Sequence, residues 1–203
     1  SPREGNLLMA REVKLMNLPN ILTLARIAAV PVVVVLLLFE SKQNCFWAAA
    51  VFSVAATTDW LDGYLARKWE IVTVLGKFLD PLADKLIVMA ALIMLIPLDR
   101  VPAWAVFVIL AREMVITGLR SIASSEGIVI AASDLGKYKT IFQMVAIIGL
   151  LLHYRYYWFF GVELSFLNPS FHNAGIFFFY VSLFLTIWSG ADYLFKFFKC
   201  IAK

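Results

Sequence analysis

Charge is scarce in this chain: Asp, Glu, Lys and Arg make up only 16% of its 203 residues, against about a quarter in ordinary soluble domains. Histidine and cysteine number two each, which excludes a disulfide framework and leaves little from which to build a zinc site. Cys45 and Cys200 read as packing residues, and the topology argued below puts them on opposite membrane faces, where they would not pair. No internal repeat and no low-complexity tract is visible, and no polar stretch is long enough for a second, soluble domain. The first fifteen residues are polar and mixed in charge, without the apolar core of a cleavable signal. Met16-Asn17-Leu18-Pro19-Asn20 reads as a natural start. Residues 1–16 are therefore taken as an N-terminal extension, native or left from cloning, and 17–203 as one membrane domain.

What the chain has in excess is apolar length. Hydrophobic residues make up 62% of it, with a mean hydropathy of +0.84, where a soluble domain carries about 45–50% apolar residues. The excess lies in six segments, near 21–39, 46–66, 78–96, 103–122, 138–154 and 174–195. Several approach the roughly 20 residues a helix needs to cross a bilayer. Open strands would leave backbone groups unpaired in lipid, so the segments are expected as helices. Pro102 opens the fourth, Asn168-Pro169 marks the loop before the sixth, and Pro31 should kink the first. The fold expected is all-α, an integral membrane bundle of six transmembrane helices.

Orientation follows from the cations. Arg67, Lys68, Lys77, Lys85, Arg120, Lys137, Lys139, Lys196 and Lys199 fall on one side, and only Lys42, Arg100 and Arg155 on the other. The positive-inside bias then puts both termini in the cytoplasm. The net charge of +4 reads as a topology signal and a partner for anionic lipid, not as a nucleic-acid surface. Tyr154, Tyr156, Tyr157 and Trp158 fall at the outer interface as an aromatic belt, and His153 and His172, also near the outer side, read as structural.

The informative stretch joins the second and third segments: Asp59-Trp60-Leu61-Asp62-Gly63-Tyr64-Leu65-Ala66-Arg67, then Gly76, Asp80 and Asp84. Residues three and four apart share a helix face. Asp59, Asp62 and Ala66 lie on one such face, and Gly76, Asp80 and Asp84 on the next. A short connection returns the chain, so both faces belong at the cytoplasmic membrane edge. An Asp at mid-bilayer costs roughly 2.5–3.5 kcal/mol on insertion scales, and mutual repulsion adds to that. A pair of hard divalent cations would offset the cost. Oxygen donors suit Mg²⁺, with Mn²⁺ as the alternative, and no His or Cys lies in the stretch to favour zinc. Gly63, Ala66 and Gly76 lack bulk on these faces. Either they admit a nucleotide and its pyrophosphate, or they let the helices pack closely.

Asp59, Asp62, Gly63, Ala66, Arg67, Gly76, Asp80 and Asp84 form a spaced pattern that resembles the signature of the CDP-alcohol phosphotransferases at every fixed position. The six-segment count is similar to that family's core. The resemblance implies that Asp59, Asp62 and Asp80 bind two divalent metals, with Asp84 at the metal site as the general base. It implies that Gly63, Ala66, Arg67 and Gly76 receive the CDP moiety, and that the chain is a homodimer. The reaction implied is displacement of CMP from a CDP-activated lipid by an alcohol.

From Met16 onward the chain is also similar to the phosphatidylglycerophosphate synthase branch of that family. The residues that carry this are Asn17 to Arg26, Ala111-Arg112-Glu113 with Gly118-Leu119-Arg120, and Asp134 to Thr140 leading to Gln143-Met144. That branch implies CDP-diacylglycerol as donor, sn-glycerol 3-phosphate as acceptor, and a site facing the cytoplasm from the bacterial inner membrane. The basic residues point to an anionic acceptor independently. Arg112 sits inside an apolar segment, where an unpaired charge is costly. With Arg120, Lys137 and Lys139 it suits a phosphate monoester. The alternative for Arg120, Lys137 and Lys139 is that they only serve the positive-inside bias. Glu113 is placed to pair with Arg112 or to orient it. Asn20 and Thr23 either line the nucleotide site or serve capping and helix–helix bonding. Two other readings stand beside this one. The same chemistry could use inositol phosphate or, as in cardiolipin synthesis, phosphatidylglycerol as acceptor. A divalent-cation transporter is the remaining alternative, against which the absence of repeats counts.

Overall fold

The structure is a computed structural model. It describes residues 18–69, 74–125, 134–154, 158–159, 162–163 and 171–201, with side chains described at 21–58, 82–125, 136–154 and 171–200. The extension 1–16, Tyr156 and Tyr157 of the aromatic belt, Arg155 and the Asn168-Pro169 loop lie outside the described residues. Six helices are described: α1 Leu18–Leu38, α2 Lys42–Trp69, α3 Val74–Leu95, α4 Ala103–Ser125, α5 Asp134–Leu151 and α6 Phe171–Ile201. Each overlaps one of the six apolar segments. Between α5 and α6 sits a two-residue antiparallel ribbon, β1 Trp158–Phe159 and β2 Val162–Glu163, with Trp158 opposite Glu163. The chain divides into two compact units, 1–91 and 92–203, with the boundary inside α3.

In the first unit α1 and α2 form an antiparallel hairpin with a capped turn. Ser41 Oγ accepts from the Asn44 backbone N–H at 3.1 Å, which satisfies a first-turn donor of α2. Asn44 Nδ2 donates to the Phe39 carbonyl at 2.6 Å, just past the end of α1. Val33, Leu37, Cys45, Ala48, Ala49, Phe52 and Ala55 are buried. The alanines bring the two backbones close enough for Arg26 Nε to donate to the Ala55 carbonyl at 3.3 Å. Toward the end of the described side chains of α2, Ser53, Thr57 and Thr58 turn their hydroxyls back onto carbonyls three or four residues earlier. No hydroxyl there is left facing an apolar surround.

The second unit opens with the last turn of α3, Leu92–Leu95. Arg100 N–H donates to Leu95 O at 3.1 Å and Asp99 N–H to Ile96 O at 3.0 Å. This paired closure puts Asp99 in the left-handed region, at φ 52°. Pro102 follows, and its carbonyl accepts from Ala105 and Val106 to start α4. Arg100 is buried; its Nη1 donates to the Leu150 and Leu151 carbonyls at 3.0 and 3.3 Å, which caps the C-terminal end of α5. Phe142 stacks on Phe178, Gly149 meets Gly175, and His153 Nδ1 lies 3.0 Å from His172 Nδ1. This series makes α5 and α6 antiparallel. Arg112 meets Ser189 and Arg120 lies over Tyr193. The cluster of Ile116, Ala123, Tyr193 and Phe197 continues the series, so α4 and α6 run in the same direction.

Ile21–Leu38 of α1 and Phe171–Cys200 of α6 are long and apolar enough to cross a bilayer. Large apolar side chains are exposed on all six helices, among them Val35, Trp47, Ile93, Phe107, Ile141 and Phe195. Apolar patches of that extent mark a membrane or partner surface. Both features support membrane association.

Candidate functional site

The acidic residues all belong to the first unit. Asp59 and Asp62 are in the last turns of α2, and Asp80 and Asp84 are in the N-terminal half of α3. The helical backbone gives each pair the three- and four-residue spacing of one face. Gly63, Ala66 and Arg67 are on α2 and Gly76 is on α3. The side chains of Asn20, Asp59, Asp62, Ala66, Arg67 and Asp80, with the surroundings of Gly63 and Gly76, lie outside the described residues. Asp84 is half-buried beside half-buried Lys85, and Thr23 on α1 is fully buried. Among the described residues no group of three or more His, Cys, Asp and Glu could hold a metal; of the four aspartates, only Asp84 is among them. The donor set itself fits hard dications. It is all carboxylate oxygen, on two consecutive helices, with neither nitrogen nor sulfur to bias it toward softer metals.

The basic residues belong to the second unit, where a polar network crosses three helices. Arg112 on α4 donates from Nη1 to Glu113 Oε2 at 3.1 Å and from Nη2 to Ser189 Oγ of α6 at 3.0 Å. Lys139 of α5 donates to the same Glu113 oxygen. Lys139 is 5% exposed and the Arg112 side chain 17%. Two cations thus share one carboxylate oxygen. Arg112 Nε is buried and has no partner among the described residues. Gly190 explains how the guanidinium fits. A Cβ at Gly190 would stand 3.0 Å from Arg112 Cγ and 3.4 Å from Nε, so the Arg112 side chain lies against the α6 backbone.

Arg120, two turns along α4, is exposed and lies 6.0 Å from the centre of the Tyr193 ring, a cation–π distance. Lys137 is exposed. The structure therefore brings Arg112 and Lys139 together through Glu113, while Arg120 lies over Tyr193 and Lys137 is exposed. Ser189 and Gly190 are missing from the sequence reading. Their only signal is a small, polar pair inside an apolar helix, which has no meaning until α6 is set against α4. A phosphate dianion would suit this network, since the N–H groups of a guanidinium fork and an ammonium are the common donors to phosphate.

Comparison with known proteins agrees with this chemistry. The family model "CDP-alcohol phosphatidyltransferase" matches residues 16–188. A Bacillus subtilis protein named CDP-diacylglycerol–glycerol-3-phosphate 3-phosphatidyltransferase is 45% identical over 192 residues, covering 89% of this chain and 94% of the relative. A Haemophilus influenzae protein of the same name is 37% identical over 185 residues, covering 88% and 91%. A rice protein named cardiolipin synthase (CMP-forming) is 37% identical over 204 residues, covering 94% of this chain and 60% of the relative. With the aspartate spacing, the carboxylate donor set and these matches in agreement, the chain belongs to the CDP-alcohol phosphatidyltransferase family.

Proposed function

We propose that this protein transfers the phosphatidyl group of CDP-diacylglycerol to sn-glycerol 3-phosphate, giving phosphatidylglycerophosphate and CMP. The observation that carries the acceptor is the part-buried Arg112–Glu113–Lys139 network. Its guanidinium and ammonium suit a phosphate monoester, and the bacterial relatives' names point the same way. In this reading Arg112 and Lys139 bind the acceptor phosphate, with Arg120 and Lys137 as further cations on its approach. Glu113 holds Arg112 and Lys139 in register.

Asp59, Asp62, Asp80 and Asp84 would hold two divalent cations, Mg²⁺ or Mn²⁺. Bound there, the metals supply charge neutralisation of the pyrophosphate and of the departing CMP. Asp84 takes the proton from the acceptor hydroxyl, whose oxygen attacks the phosphatidyl phosphorus as the bond to CMP breaks. Asn20, Thr23, Gly63, Ala66, Arg67 and Gly76 accommodate the CDP moiety. The protein is a homodimer in the bacterial inner membrane, with six spans, both termini cytoplasmic and the site facing the cytoplasm. The alternating helix directions within each unit support that topology.

The rice relative favours one second reading, with phosphatidylglycerol as acceptor and cardiolipin as product. Inositol phosphate is the further acceptor to test. The family match gives no support to a transporter. CMP release by the purified protein, measured with each acceptor and with or without Mg²⁺, separates these readings. Turnover with glycerol 3-phosphate, lost on chelation and restored by Mg²⁺, is the expected result. Turnover with phosphatidylglycerol or inositol phosphate in its place would overturn the acceptor assignment.

A further inference from the structure

We infer that the groove between α1 and α2 seats one acyl chain of the CDP-activated lipid and sets the chain length the enzyme prefers; the inference rests on the phosphatidyl-transfer reading above. The groove has a volume of about 450 Å³. Ala25 and Ala29 on α1 face Ala50 and Ala55 on α2 across it, and their missing bulk makes the channel. Among the described residues the polar ones lining it are Arg26 and Thr58; the Thr58 hydroxyl and Arg26 Nε face backbone carbonyls, and Arg26 Nη1 is buried rather than open to the groove. Thr58 Oγ1 lies 2.9 Å from the Val54 and Ala55 carbonyls, and Arg26 Nε lies 3.3 Å from the Ala55 carbonyl. Such a lining suits an alkyl chain better than a polar ligand.

Its length and position select the occupant. From Trp47 to Thr58 is about 16 Å along α2 at 1.5 Å per residue, the scale of a single extended fatty chain. Thr58 immediately precedes Asp59, the first aspartate of the signature. A lipid whose pyrophosphate is held by the final turns of α2 therefore has this channel at hand for a tail, running back toward Trp47. Val54 and Trp47 are both more than half exposed, so the groove opens sideways and a chain can enter from the bilayer without threading.

The test fills the channel. Ala50→Phe, in full-length protein in detergent micelles, is assayed for CMP release with CDP-dioctanoylglycerol and CDP-dipalmitoylglycerol. Each methylene driven from apolar contact is worth about fourfold, so the preference for the long-chain donor should fall at least tenfold while short-chain kcat/KM stays within about threefold. Val35→Phe, on the exposed face of α1 outside the groove, should leave both values unchanged. An unaltered chain-length profile in folded Ala50→Phe would overturn the inference.

A second measurement needs no variant. CDP-diacylglycerol carrying a diazirine in its chain is photolysed with the wild-type protein, and the labelled peptides are mapped. Labelling within 22–29 and 47–58 should be competed by CDP-dipalmitoylglycerol and not by phosphatidylethanolamine with the same chains. Equal competition by phosphatidylethanolamine would make the groove a general lipid contact and sink the proposal. Absence of CMP release from wild type at every chain length would count against phosphatidyl transfer itself, and the labelling still reports on the groove because it needs no turnover.

Discussion

Asp84, Arg112 and Asp99 show three ways in which one side chain matters. Asp84→Asn keeps size and hydrogen bonding but removes the base. CMP release is expected to fall about a hundred- to ten-thousandfold while the thermal midpoint in detergent stays put. Arg112→Lys keeps the charge but loses the fork that reaches Glu113 and Ser189 at once. KM for glycerol 3-phosphate should rise about tenfold or more with a smaller change in kcat, measured by CMP release over an acceptor titration; an unchanged KM would remove Arg112 from the acceptor site. Asp99 sits at φ 52°, where an L-residue is strained by roughly 1–2 kcal/mol. Asp99→Gly relieves that strain and should raise stability by about 1 kcal/mol, read as a higher midpoint with unchanged turnover. The four aspartates are legible in the sequence because their meaning is local: spacing along one or two helices is enough. Ser189 is not, because its bond to Arg112 joins residues 77 apart, and only packing reveals such a pairing.

Helices in this chain are longer or shifted relative to the apolar segments that announce them, for a physical reason. Hydropathy detects the stretch that lipid would cover, while the helix continues as long as backbone bonds are satisfied. α2 begins at Lys42 and runs on past Ala66 through Arg67 to Trp69, and α6 carries on past Phe195 through Lys196 and Lys199. The four aspartates are all on regular helix, so spacing arguments apply to them. The ribbon Trp158–Glu163 has a weaker signal, aromatic and β-branched residues on either side of Phe160-Gly161, too short to tell from interface anchoring. Helix crossings are less legible still. A Cβ at Gly175 would lie 2.8 Å from the Leu150 backbone nitrogen and 3.0 Å from the Gly149 carbonyl carbon, and backbone has little room to yield. Gly175→Ala should therefore cost about 1–3 kcal/mol by prying α5 from α6. Gly118 has nothing within 4 Å of its would-be Cβ and lies inside α4, so Gly118→Ala should stabilise by about 1 kcal/mol. Thermal unfolding of the two variants in one detergent reads both signs, and two equal losses would contradict the packing described for α5 and α6.

At the scale of the whole molecule, two cysteines offer a direct reading of which side each end faces. α6 has 31 residues, about 46 Å of helix at 1.5 Å per residue, against roughly 30 Å of hydrocarbon. One end must therefore project beyond the apolar slab. Lys196 and Lys199 mark the C-terminal end as the one that projects, since ammonium groups seek the aqueous edge and the cytoplasmic side carries the positive bias. Cys200 is exposed at that end, whereas Cys45 is buried in the α1–α2 hairpin. A membrane-impermeant maleimide should thus react with Cys200 in inside-out vesicles and spare it in right-side-out ones, and Cys45 should stay unlabelled in both until the protein is denatured. Cys200→Ser removes the signal and serves as the control. Under the six-span topology proposed above, that orientation would give the acidic motif access to the compartment that supplies water-soluble glycerol 3-phosphate and takes up CMP. Labelling of Cys200 only from the outer face would overturn the proposed cytoplasmic C-terminus and, with it, the six-span topology that sets the acidic motif beside its substrates.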